Sequence, residues 1–362
     1  MKKWIAWLLC LSLLFLGGCG AKTAPATTAA TTTVETTAEI VTEPTVETTK
    51  PQEWTVGISL PNLTQEYWVS EGERLTRELK GLGYIVDMEN AQDDAQVQIE
   101  QVEVMLEKVD CLIIAAVDSI SLAQVLLSAK VPVIAYDRPI MNTDKVSGFV
   151  GFDSVTVGAD LALRIVEEKA LDTAKEENRS YTVEFLMGDF LNHSDVLFYQ
   201  GLMQVLKPYL ESGVLTCPSG LTAFEDVCVT GYDGETAGQM LENVLGKHYE
   251  KDYPQILITA HDQIAGGCVE VLTEKGCSPE AWPLITGQHA TEEGLERVKE
   301  GTQFLTVYYE PGLLATACAK MSQRILRGET PGLTVWHNGE TDIPADIYIP
   351  QMINQSNVLS AM

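Results

Sequence analysis

Val131-Pro-Val-Ile-Ala-Tyr-Asp-Arg138 sets four apolar residues on consecutive positions, Val133 to Tyr136, and ends them with an acid and a base. A run without polar alternation reads as a strand buried on both faces, as in a parallel sheet. Short apolar runs bounded by polar turns recur at Val56 to Leu60, Cys111 to Val117, Phe149 to Phe152, Val183 to Met187, Ile256 to Thr259, Leu284 to Thr286 and Phe304 to Tyr308, and several of them also carry apolar residues on consecutive positions. Between these strands run segments of helical period, such as Gln96 to Lys108, where Ile99, Val102, Leu106 and Val109 share a stripe. Alternating strand and helix predicts an α/β fold with right-handed crossovers, and some 300 residues of it predict two doubly wound parallel-sheet lobes.

In such sheets ligands bind beyond the carboxyl ends of the strands, where strand order reverses. The segments there are 62–68, 137–138, 153–154, 188–195, 261–262, 288–289 and 308–310. They are rich in Asp and hold a Trp, an Arg and three of the five histidines. Carboxylates, amides and Arg supply paired donors and acceptors at fixed angles, which suit adjacent hydroxyls of a sugar ring. A Trp face covers the C–H surface of the same ring. No Gly-x-Gly-x-x-Gly, P-loop or Gly-x-Ser-x-Gly pattern follows a strand, so nucleotide binding and nucleophilic catalysis have no support. The chain reads as a binding protein without a cofactor, not an enzyme.

The start of the chain speaks to location. Lys2 and Lys3 precede the apolar run Trp4 to Leu16, which exits through Leu16-Gly-Gly-Cys19. This reads as a lipoprotein signal peptide over 1–18, with Cys19 the lipid-modified first residue. Residues 19–52 follow as a tether, with twelve Thr between Ala21 and Lys50 and almost nothing to bury. Such a segment stays disordered and spans roughly 30 Å. The protein is therefore expected outside the cytoplasm, held to the membrane by lipid. The formal charge of −27, from 24 Lys and Arg against 51 Asp and Glu, falls entirely after residue 52. A body so acidic is repelled by phosphate backbones, which excludes a nucleic-acid partner.

With those residues in view, the sequence resembles the periplasmic monosaccharide-binding proteins of ABC importers, in the xylose-binding and multiple-sugar-binding branch. The likeness covers residues 54–350 and is carried by Val131–Arg138, Phe152-Asp153, Val205-Leu-Lys-Pro-Tyr209, Ser212-Gly213, Ala260-His-Asp-Gln-Ile-Ala-Gly-Gly267, Thr286-Gly-Gln288 and Leu305-Thr-Val-Tyr308. It implies the type I periplasmic binding protein fold: 53–154 with 290–329 as lobe one, 155–289 with 330–362 as lobe two, and hinge crossings near Asp153, Gln288 and Thr330. It implies a monomer that closes on a monosaccharide, a pentose, hexose or derivative, and delivers it to ABC permease subunits.

By the same resemblance Trp68 matches a stacking Trp, Asp137 and Arg138 a pair that grips ring hydroxyls, and Asp262 a ligand-bonding Asp. The chain departs from the pattern at Tyr67, at Asn192-His193-Ser194, at His261, at His289 after Gln288, and at Tyr309, which leaves the identity of the sugar open. Asp153 reads equally as ligand contact or as helix cap. Two other functions stay open: a sugar-sensing subunit for a chemoreceptor or histidine kinase, which the same fold serves and nothing in the sequence separates from import, and, as a lesser alternative, a metal-binding lipoprotein in which His193, His261 and His289 converge. Cys217 with Cys228, and Cys268 with Cys277, are open as disulfides in an oxidising compartment, whereas Cys111 and Cys318 read as buried thiols.

Overall fold

A computed structural model describes residues 53–361, so the signal over 1–18, Cys19 and the tether lie outside the described residues. The first half of the described chain runs β1 (Thr55–Leu60), α1 (Glu66–Gly81), β2 (Ile85–Asn90), α2 (Ala95–Met105), β3 (Cys111–Ile114), α3 (Leu122–Leu126), β4 (Val133–Tyr136) and β5 (Val146–Phe152). It crosses into α4 (Ser154–Lys169), α5 (Leu171–Ala174), β6 (Tyr181–Leu186), α6 (His193–Ser212), β7 (Leu215–Thr216), α7 (Gly234–His248), β8 (Ile256–Thr259), α8 (Asp262–Glu274), β9 (Leu284–Ile285), α9 (Glu292–Glu300) and β10 (Leu305–Tyr308). It ends with α10 (Leu313–Leu326), β11 (Thr334–His337), β12 (Asp342–Tyr348) and β13 (Gln351–Asn354).

Two sheets result. The first has the order β11-β12-β5-β4-β3-β1-β2 and is parallel except for the edge strand β11. The second runs β7-β6-β8-β9, all parallel, and is extended by the antiparallel pair β10-β13 through a bridge from Thr286 to Leu305. Strand order reverses between β1 and β3 in one sheet and between β6 and β8 in the other, so each lobe has a switch point. Ile58, Leu60, Ile113, Ile134 and Tyr136 are wholly buried in the first lobe, and Val183, Ile256 and Ile258 in the second. At about 1.5–3 kcal/mol per buried large apolar side chain, these strands anchor the loops at their ends.

The expected division of the chain needs correction. The resemblance puts segment 290–329 in lobe one and 330–362 in lobe two, yet β10 joins the second sheet and β12 pairs in parallel with β5 of the first. The pairing leaves 313–348 with lobe one and 351–361 with lobe two. The crossings therefore fall near Asp153, at 309–312 and at 349–350, rather than at Gln288 and Thr330.

Helices α4 and α6 touch backbone to backbone. A Cβ at Gly158 would stand 2.0 Å from the Phe198 carbonyl oxygen, and one at Gly201 would stand 1.9 Å from that of Val155. Only glycine permits that approach, which brings the N-terminus of α6 up to the gap between the lobes. All six cysteines among the described residues are free thiols, Cys217–Cys228 and Cys268–Cys277 included. Cys111 and Cys318 are buried as expected, and burial pushes the Cys111 thiol up to about 12.

Candidate functional site

Asn62 follows β1 and folds the chain into α1: its Oδ1 accepts from the amides of Thr64 and Gln65 at 3.1 and 2.9 Å. One turn later Tyr67 and Trp68 meet edge to face, with ring centroids 4.9 Å apart. Trp68 is 2% exposed, and the Arg138 guanidinium carbon lies 5.1 Å from its ring centroid. A cation thus covers the indole that the sequence marks for a sugar. Arg138 is fixed in turn by donating from Nη1 to the Ala116 carbonyl at 3.1 Å.

Asp137 ends β4 with a φ of 60°, in the left-handed region. The turn is held by the Asp137 amide on Val150 O at 2.7 Å and the Arg138 amide on Tyr136 O at 2.6 Å. An aspartate tolerates this geometry better than most residues, at a cost of about 1 kcal/mol. Burial pushes the Asp137 carboxyl up to about 6 against the pull of Arg138, and Glu71 adds to the rise.

Lobe two answers with a network. Asn192 caps α6 through Oδ1 on the Ser194 amide, 3.1 Å, and donates from Nδ2 to the Tyr232 hydroxyl, 2.9 Å. That hydroxyl donates to Asp195 Oδ2 at 2.7 Å, and the Asp189 amide donates to the same oxygen at 2.9 Å. Burial raises Asp195 to about 6, and the Tyr232 hydrogen bond pulls it back in part. Gln288 is engaged at both ends: Nε2 donates to Ala260 O at 2.8 Å and Oε1 accepts from Tyr309 at 2.5 Å.

Four rings stand in a column beside this network. Centroid separations are 5.0 Å from Tyr232 to His261, 4.4 Å from His261 to His289 and 5.0 Å from His289 to Tyr309. His261 Nδ1 accepts from the Gln263 amide at 3.1 Å, which assigns the ring proton to Nε2. Enclosure holds His261 well below the usual histidine range, with His289 adding to the effect; enclosure and then Arg138 bring His289 down to about 4. Both imidazoles are neutral at pH 7.

Tyr67, Trp68, Asp137, Arg138, Asn192, Ser194, His261, Gln288, His289 and Tyr309 all line one cavity of about 90 Å³ between the lobes. The lobes touch across it: the Ser194 hydroxyl reaches Asp137 O at 3.4 Å, and Ser119 donates its amide to Leu191 O while its Oγ accepts from the His193 amide, both at 3.2 Å. Three expected residues stand outside the cavity. Asp262 is wholly buried, and its carboxylate accepts from Gln303 Nε2 at 2.7 Å, the Thr291 amide at 2.9 Å and Thr306 Oγ1 at 3.0 Å. Since His261 turns to the cleft, the next residue in α8 turns inward and ties α8 to α9 and β10. Asp153 caps α4 through the Thr156 amide at 3.0 Å. His193 is half-buried beside Ser119, apart from the other two histidines, and no group of three or more His, Cys, Asp or Glu among the described residues could hold a metal.

The sequence reading missed Tyr232, Phe152 and Phe198 in the lining, and it held Gln65, Ser154 and Asp195 only within the segments 62–68, 153–154 and 188–195 without singling them out. Asp195 follows Asn192 by three residues, one helical turn, and that spacing was the available signal. Tyr232 sits in the short 3₁₀ turn Thr230–Tyr232, which no strand precedes and no pattern marks.

A family profile described as the periplasmic binding protein domain matches residues 56–330. The multiple sugar-binding periplasmic protein SbpA of Azospirillum brasilense is 32% identical, over 87% of this chain and 89% of its own length. The D-xylose-binding periplasmic protein of Escherichia coli is 30% identical, over 85% and 88%. Among solved structures, an ABC transporter solute-binding protein from Clostridium phytofermentans with bound β-D-glucose is 32% identical, with a TM-score of 0.78 over 85% of this chain and 96% of its own. Fold, cleft and relatives agree that the chain belongs to the periplasmic monosaccharide-binding protein family, whose members bind and do not catalyse.

Proposed function

We propose that the protein is an extracytoplasmic solute-binding lipoprotein, attached through Cys19, that captures a neutral monosaccharide by hinge closure and delivers it to an ABC importer. The observation that carries this reading is the cavity between the lobes, to which lobe one brings Asp137 and Arg138 and lobe two brings Asp195, His261 and His289. Carboxylate, guanidinium and neutral imidazole can meet ring hydroxyls as acceptors and donors, while Tyr309 and Trp68 offer ring surface. Contacts made to both lobes exist only when the cleft is closed, so a bound sugar shifts the population toward closure. One carboxylate on each side and a single guanidinium leave the cavity short of positive charge, which disfavours sugar acids. Calorimetric titration with D-xylose, D-ribose, D-glucose, D-galactose and D-glucuronate tests the reading. Micromolar or tighter binding of a neutral sugar supports it, and heat from none of the neutral sugars would sink it.

A further inference from the structure

Glu71 lies one turn beyond Tyr67 and Trp68 on α1, is 4% exposed and does not line the cavity. Its Oε2 accepts from the Tyr136 hydroxyl, and its Oε1 accepts from the Gly312 amide at 3.2 Å. Arg74, three residues on, pairs with the same Oε1 at 3.9 Å from its half-exposed guanidinium, so the carboxylate has one long ion pair at its solvent side. Tyr136 is the residue before Asp137, and Gly312, with a φ of 79°, closes the 309–312 crossover that begins at Tyr309. One buried carboxylate therefore joins α1, the Asp137–Arg138 turn and a hinge segment, which are 65 and 241 residues away in sequence.

We propose that Glu71 is a positioning residue of the binding site, whose bridge from Tyr136 to Gly312 locks the turn bearing Asp137 and Arg138 to the crossover bearing Tyr309. This rests on the cleft being the ligand site, and it adds a residue that never touches the ligand. A buried carboxylate is expensive unless its oxygens are filled; the long Arg74 pair offsets only part of that cost, and the Tyr136 and Gly312 donors supply the close contacts. Movement of the crossover away from α1 breaks the Gly312 bond, and the same oxygens then loosen the Asp137 turn. Hinge angle and ligand grip are thereby coupled through one side chain.

The charge of Glu71 gives a second handle. Asp137 is faced by Tyr67 and Glu71 of α1, by Arg138 of its own turn, by Asp195 of α6 and by Tyr309 of the crossover. Removing the Glu71 charge leaves Asp137 easier to ionise, so affinity should survive to a lower pH. A purely structural brace would not move that midpoint.

The test combines amide hydrogen exchange and titration on the full chain, using Glu71→Ala, Glu71→Gln and Tyr136→Phe so that a fold failure in one leaves the others. In Glu71→Ala and Tyr136→Phe, the segments 133–138 and 309–313 are both expected to exchange faster in the ligand-free protein, with 256–259 unchanged. The Kd for D-glucose or D-xylose should rise about fivefold to tenfold, and Glu71→Gln should shift the acid midpoint of binding downward. Faster exchange confined to α1, or an unchanged Kd with both segments loosened, would overturn the proposal. Absence of sugar binding by the wild type breaks the ligand reading instead, while the exchange result still decides the bridge.

Discussion

The two half-sites facing each other across the cleft are built on opposite plans. Lobe one offers charged groups held by few bonds: Arg138 has one protein acceptor and a ring beneath it, and Asp137 stands in a left-handed turn. Lobe two offers groups already bonded to one another, Asn192 to Tyr232 to Asp195 and Tyr309 to Gln288 to Ala260, beside two neutral imidazoles. A free charge gains most when a ligand arrives, whereas a satisfied network gains little but is in place beforehand. Lobe one is thus suited to supply affinity, and lobe two to supply shape.

The sharpest way to break that contrast is Trp68→Ala. Removal of a 2% exposed indole should cost about 3–5 kcal/mol of stability and free Arg138 from its ring, so both the melting temperature and the affinity should fall well below wild type. A variant that melts normally would mean that the ring is not core. Asp195→Asn comes next. Its fold should persist, because Tyr232 and the Asp189 amide still find an oxygen, and affinity should drop only about tenfold, or ~1.4 kcal/mol. A loss as large as that of Trp68→Ala would erase the division of labour between the lobes.

The smallest effect is in pH. Asp195 is raised in the folded state from an ordinary value of 3.8 to about 6, so the native form takes up its proton first and gains relative stability as pH falls from 6 toward 4. His289 is lowered from 6.5 to about 4, so the unfolded chain takes up its proton first and the native form loses stability over the same window. The two oppose each other in the wild type. In thermal melts at pH 7 and pH 5, Asp195→Asn should fall further behind wild type at pH 5, and His289→Asn should gain on it. Parallel shifts of both variants would show that these groups are not held as described.

What could be read from the sequence follows this same divide. The strands with consecutive apolar residues, such as Cys111–Ile114 and Ile256–Thr259, were placed from their own residues because burial on both faces leaves a local mark. β2 escaped because Ile85–Asn90 is an edge strand with polar and exposed positions. The lobe membership of β11 and β12 escapes the sequence because β12 pairs with β5, some two hundred residues away, and so distant a partner leaves no local trace; that of β10 escapes it because its bridge to Thr286 is set by register and not by composition. In the site, residues directly ending strands were found, but their directions were not. His261 and Asp262 are neighbours, and only the helix geometry decides that one faces ligand and the other the interior. Tyr232 enters from a short turn and owes its place wholly to tertiary packing.

The position of the crossings sets an order of assembly. The sheet of lobe one is incomplete until β12 arrives beside β5, and α1 until α10 covers it, so its core closes across a sequence gap of about two hundred residues. Lobe two holds nearly all of its sheet in one continuous stretch, from β6 to β10, and needs only β13 from the tail. Long loops to close make for slow steps. The second lobe should therefore be the early folding unit and lobe one the late, rate-limiting one, so that during synthesis residues 53–152 stay unfinished until β12 has emerged.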